Sequence, residues 1–170
     1  MPTAPGVINS LGFGGLPLTG TNFGGAIVMT DDGVWFGLKN NSGVALQYGT
    51  VIVSDVTGLL GTTSTTAGDL TVIGVIDQQG CVTVTIGSTP TPGVPIGGSM
   101  MVRNRGVGRV LVNNGTAVTA LTPLQQSGTA GQATGNATAI TVANAQASFA
   151  IALEAYAARD TFNTIRAKLV

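Results

Sequence analysis

The chain has 170 residues, with 7 basic and 7 acidic side chains, no histidine, 44% hydrophobic residues and 26 glycines. Charged residues make up only 8%, against roughly 25% in an ordinary globular protein, so neither hydrophilic disorder nor an electrostatic hold on nucleic acid or an anionic membrane is expected. Without imidazole, triad hydrolases and most zinc and iron sites are excluded.

Residues 1–25 read as an arm. Gly12, Gly14, Gly15, Gly20, Gly24 and Gly25, with Pro2, Pro5 and Pro17, break any regular element, yet Phe13, Leu16, Leu18 and Phe23 stand among them. A plain linker would be polar. Apolar teeth on a glycine-rich segment call for a surface to lie against, its own domain or a neighbour's. Met1–Gly6 lacks a basic region with an apolar core behind it, so no signal peptide is expected. The longest nearly apolar run, Ala147–Ala158, contains Glu154 and is too short to span about 30 Å of hydrocarbon, so the sequence predicts a soluble protein.

From residue 26 turn signals recur every 8–12 residues. Ala26–Thr30 and Val34–Leu38 flank Asp31-Asp32-Gly33 as a predicted hairpin, closed by Asn40–Gly43. Trp35 and Phe36 are neighbours on opposite faces, one for the core and the other for the arm or another chain. Tyr48–Ser54 reads as a strand and Gly58–Asp69 as a loop or poor edge. Thr71–Ile76 and Cys81–Ile86 flank Asp77–Gly80 as a second hairpin. Thr89–Pro95 carries three prolines and reads as an exposed connection.

Met100–Arg105 and Val107–Val112 follow, with Gly106 and Gly108 suggesting a bulge or bend, and Asn113-Asn114-Gly115 as a type I′ turn. Leu121–Gly135 reads as a surface loop and Ala137–Val142 as a strand. In Ala145–Arg159 the alanines favour a helix, while Phe149, Ile151, Leu153 and Ala155 alternate as a buried strand face would. The strand is preferred, turning through Ala157–Asp160 into Thr161–Val170, where Ile165, Ala167 and Leu169 oppose Arg166 and Lys168. About nine or ten short strands imply an all-β sandwich or barrel over residues 26–170.

Little of this carries chemistry. Every Asp except Asp69 falls at a predicted turn or strand end, where the carboxylate accepts backbone N–H groups. Asp31-Asp32-Gly33 lacks the spaced ligands and closing Glu of a calcium loop, and the Gly-rich runs lack the Lys-Ser/Thr of a phosphate loop. Cys81 stands alone and reads as a small buried hydrophobe. No catalytic residue, cofactor or metal is expected. The one concentration of charge is Arg103, Arg105 and Arg109, placed by strand periodicity on one face. It is a solvated face with local Asp partners, a partner interface or, least favoured on a neutral protein, a nucleic-acid footprint. Together with Phe13, Leu16, Leu18, Phe23 and Trp35, these arginines are the candidate interface residues.

Five stretches carry a family resemblance. Asn41–Val53, with Ala45-Leu46-Gln47-Tyr48-Gly49 before a Val-rich strand, is one. Val72-Ile73-Gly74-Val75-Ile76, Met101-Val102-Arg103 with Gly106, Ala150–Ala155 and Ile165–Leu169 are the others. Over residues 40–170 the chain resembles the β-rich capsid decoration (cement) proteins of tailed bacteriophages. The resemblance implies a non-enzymatic, β-tulip-like domain on the outer capsid surface of the virion, a homotrimer bound to the major capsid protein at capsomer junctions. The alternatives are another virion component, such as a tail-tube or head-fibre subunit, and a carbohydrate-binding β-sandwich.

Overall fold

Val, Ile and Thr in short runs between glycines set most of the chain in hydrogen-bonded strands. The computed structural model describes residues 27–55, 59–113, 118–136 and 142–170. It is all-β, with thirteen strands among the described residues. The first six are β1 (Ile27–Thr30), β2 (Gly33–Asn40), β3 (Leu46–Gln47), β4 (Val51–Ser54), β5 (Leu60–Thr62) and β6 (Val72–Ile76). Next come β7 (Val82–Ile86), β8 (Thr89–Val94), β9 (Ser99–Leu111), β10 (Pro123–Gln126) and β11 (Ala133–Gly135). A short helix α1 (Val142–Ala147) leads into β12 (Ser148–Ala152), and β13 (Thr164–Leu169) ends the fold.

Ten strands form one sheet in the order β1-β2-β5-β4-β6-β9-β13-β12-β10-β11, and β3-β8-β7 form a second. A further pairing of β2 with β9 closes the circuit β2-β5-β4-β6-β9 on itself. Successive residues of a strand face opposite ways, and β4 and β6 use both faces. Val51 and Val75 enter a core with Val110, Leu124, Ala150 and Ile165, whereas Ile52 and Ile76 enter a second core with Leu38, Met100 and Val102. The smaller sheet contributes Leu46 and Val94 to the second core.

Strand β9 is a single run of 13 residues, not two. Its register against β2 jumps from Arg103↔Trp35 to Arg105↔Val34, so Asn104 is an extra, bulged residue. In β6 the register against β4 passes over Ile73 in the same way. The two bulges meet, because the Asn104 side chain donates to the Ile73 carbonyl at 2.8 Å. Gly106 then takes φ +97 and faces Gly33 across the ladder. A Cβ there would fall on the Asp32 carbonyl oxygen.

Several expectations from the sequence are corrected. The hairpin Asp31-Asp32-Gly33 forms, but β6 and β7 lie in different sheets and do not pair. The Thr89–Pro95 segment is no exposed connection: through Val94 it is strand β8, between β7 and β3. Period two points both proline nitrogens, Pro90 and Pro92, to one edge, and that is the β3 edge, since the Pro92 carbonyl accepts the Tyr48 N–H there. The β7 side keeps all its donors. Strand β5, inside the segment read as a loop or poor edge, lies between β2 and β4.

Leu121–Gly135 holds β10 and β11 instead of a surface loop, and Leu124, Gln126 and Ala133 are each 0% exposed. Gln126 supports that burial by donating from Nε2 to the carbonyls of Ser64, Ser127 and Thr129. The 145–159 segment divides between both expectations, ending helix α1 and then forming β12. The buried face of β12 is Ala150 and Ala152, not the Phe149–Ile151–Leu153 set, and Leu153 is exposed. Ile165, Ala167 and Leu169 of β13 are buried as expected. Residues 114–115 of the expected type I′ turn and 137–141 of the expected strand lie outside the described residues, and Val142 opens the helix.

Gly106→Ala joins a strained positive φ to a backbone collision, so it should cost about 1–3 kcal/mol or more and lower the melting temperature. At Gly128 an added carbon meets nothing nearer than 4.0 Å, and Gly128→Ala should stay within about 0.5 kcal/mol. Urea melts of the two variants check this, and equal costs would contradict the close approach at Gly106.

Candidate functional site

The pairing of β2, β9 and β6 brings Trp35, Arg103 and Asp77 together, since Trp35 and Val75 both face Arg103 across the ladders. Asp77, directly after β6, accepts Trp35 Nε1 at 2.9 Å and Arg103 Nε at 2.5 Å on one oxygen, and the Gln79 N–H at 3.0 Å on the other. The Arg103 guanidinium lies 4.4 Å from the centre of the Trp35 ring, which is only 6% exposed. Burial pushes the Asp77 carboxyl up. The hydrogen bonds from Gln79, Trp35 and Arg103 and the charge of Arg103 outweigh it and hold the group below its usual range.

A second charged group is built from β9, β12 and β13. Arg109 faces Arg166 across the β9–β13 ladder, a like-charge pair that needs an anion between. Glu154, just past β12, supplies it, accepting Arg109 Nη1 at 2.7 Å and Arg166 Nε at 3.0 Å, with the Arg166 N–H at 2.8 Å. Burial raises the Glu154 carboxyl, and the bonds and charges of Arg166 and Arg109 bring it down below the ordinary value. Asp160 Oδ2 stands 3.9 Å from Arg109 and accepts the Thr164 hydroxyl, while Asp160 Oδ1 accepts the Phe162 and Thr164 N–H groups.

Between the two groups opens a cavity of about 210 Å³. It is lined by Arg103, Arg109, Arg166, Tyr48, Asp77 and Gln78, with Val75, Ile76, Val107 and Gly108 as its apolar part. Burial pushes the Tyr48 phenol up to about 12, against the opposing pull of Arg109, so it stays neutral. Cys81 lies just before β7, its thiol pushed up to about 12 by burial and by Asp77, and its Sγ donates to the Asp77 carbonyl. Such a thiol is a poor nucleophile at neutral pH.

Of the residues singled out in the sequence, Arg103 and Arg109 meet in this cavity and Trp35 stacks on the first of them. Arg105 does not join them. It is exposed, and the bulge at Asn104 sets it opposite Val34, on the other face of β2 from Trp35, so the expectation that 103, 105 and 109 share a face is overturned. Phe36 is half-buried against the second core. Phe13, Leu16, Leu18 and Phe23 lie outside the described residues. Turn bonding by aspartates extends to Asp69, which accepts the Thr71 N–H and hydroxyl at 2.8 and 2.6 Å. Sequence reasoning missed Tyr48, Asp77, Glu154 and Arg166 as a group, because their convergence depends on strand order alone.

Compared with known proteins, the chain matches no family model and no curated protein.

Because the folded Asp77 carboxyl is depressed, its contribution to stability is complete above the ordinary value of 3.8 and is lost as pH falls through the lower folded value. Asp77→Asn should therefore cost about 1–3 kcal/mol at neutral pH and flatten the loss of stability below about pH 4. Chemical denaturation from pH 7 to pH 2 measures both, and parallel wild-type and variant curves would show that Asp77 contributes nothing through its charge.

Proposed function

We propose that this chain is a non-enzymatic structural protein of a virion. It binds the major capsid protein on the outer surface of a tailed-phage capsid and reinforces capsomer junctions as a homotrimer. One observation carries this reading. The five stretches that resemble decoration proteins are separated in sequence, yet each contributes one of β4, β6, β9, β13 and β12, five consecutive neighbours in the ten-stranded sheet, and the first also holds β3 of the smaller sheet. A chance scatter of Gly-Val-Ile phrases has no reason to reach every one of five neighbouring strands.

The surface is consistent with assembly. Edge strand β1 exposes Ile27 at 56% and Met29 at 67%, and the segment before it carries Phe13, Leu16, Leu18 and Phe23. Apolar groups on an edge next to an apolar-toothed arm favour contact with another chain over free solution. The small charge total leaves little self-repulsion between copies.

Deleting residues 2–25 should leave the β domain's melting temperature within a few degrees while weakening co-sedimentation with capsids or trimerisation. Phe13→Ala with Phe23→Ala should reproduce much of that loss, about 2–4 kcal/mol combined if both are buried anchors. A sharp drop in the melting temperature of the truncated domain would assign the arm to its own core instead. A monodisperse monomer by light scattering at micromolar concentration, with monomeric density on imaged capsids, would overturn the trimer.

A further inference from the structure

Each of the three arginines around the cavity is anchored by part of its guanidinium only. Arg103 uses Nε on Asp77 and reaches the Asp32 carbonyl with Nη1 at 3.5 Å. Arg109 spends Nη1 on Glu154 and the Thr164 carbonyl, and Arg166 spends Nε on Glu154. Among the described residues Arg103 Nη2, Arg109 Nε and Nη2, and both Nη atoms of Arg166 have no acceptor. The carboxylates thus fix the guanidinium planes and leave donors unspent beside one cavity.

Among the described residues the only acid in the cavity wall is Asp77, whose oxygens are already taken by Trp35, Arg103 and Gln79. The Tyr48 hydroxyl has no partner among the described residues, and its neutral phenol is a donor. Gly108 keeps the space open: a Cβ there would stand 3.1 Å from Arg103 Cδ. Val107, Val75 and the Tyr48 ring give the walls an apolar share that suits a hydrocarbon body better than a bare mineral anion.

We infer that the cavity between Arg103, Arg109 and Arg166 is a binding site for a carboxylate-bearing ligand, whose oxygens take the free guanidinium N–H groups and the Tyr48 hydroxyl. The planar carboxylate matches the guanidinium edge in a two-bond pairing, and the volume of about 210 Å³ accommodates a small polycarboxylate or one acidic side chain of another chain. The inference is independent of the capsid reading, since it concerns only the chemistry of the groove.

The test uses the full chain, titrated at constant ionic strength with citrate, with a terminally blocked Glu-Glu dipeptide, and with phosphate and chloride as comparators. The amide signals of Gln78 and Gly108 are followed by NMR. Saturable shifts at these two positions with citrate or with the dipeptide are expected below about 20 mM, and whichever binds more tightly identifies a small-molecule or a protein-borne source. Arg166→Gln, whose side chain is 59% exposed, and Tyr48→Phe, which removes one hydroxyl, should each weaken binding about fivefold while keeping the wild-type melting temperature. Lys39→Gln, an equal change of charge outside the cavity, should leave binding unchanged. The assignment is overturned if neither carboxylate saturates, if phosphate or chloride gives the same shifts at the same concentration, or if Lys39→Gln weakens binding as much as Arg166→Gln.

Discussion

Strand β9 hydrogen-bonds to β2, β6 and β13, and the tight passage of its backbone past Asp32 and Gly33 is the constraint on which the remaining structure depends. Along its 13 residues β9 changes register against β2. The bulge at Asn104 supplies the change, and Gly106 lets the chain recover where a side chain would strike a carbonyl. Closure of the β2-β5-β4-β6-β9 circuit and the meeting of Trp35, Arg103 and Asp77 depend on β9, while its regular ladder with β13 sets the second charged group.

The chain holds few charges, and six of them gather around one groove: Asp77, Arg103, Arg109, Glu154, Asp160 and Arg166. Exposed ion pairs contribute little, but all of these groups except Arg166 are partly buried, and several are geometrically fixed by backbone bonds. Asp77 ties a strand end to its neighbour two strands away through Trp35, while Glu154 reconciles two arginines that the β9–β13 register forces opposite each other. Polar side chains thus do here what apolar packing does in the cores, joining strands that the ladder alone brings side by side.

Period-two alternation made much of the fold legible. The β1–β2 turn, the alternation of β13 and the all-β class were readable because Ile, Val and Leu recur on one side between glycines. The method failed where the inward residue is not large and apolar. Gln126 on β10 is fully buried yet reads as polar, and Ala150 and Ala152 carry the buried face of β12 while the bulkier Phe149 and Ile151 stand on the less covered face. Proline misled in the opposite way at β8. The arginine cluster was visible as composition, but the bulge that separates Arg105 from Arg103 leaves no mark beyond a nearby glycine, and the carboxylates that fix the guanidinium groups lie 26 and 45 residues away. Such contacts belong to topology, which a single sequence does not display.

The prolines of β8 bear on what the smaller sheet can become. Strand β3 covers only Gly93 and Val94 in the ladder, so the edge beyond it is uncovered at Pro90. An arriving strand would find carbonyl oxygens there and no amide hydrogens to match its own acceptors. Addition of a foreign strand is therefore blocked on that side by covalent chemistry, whatever the solution conditions. One of the open edges of the protein is thereby kept from templating fibrillar growth.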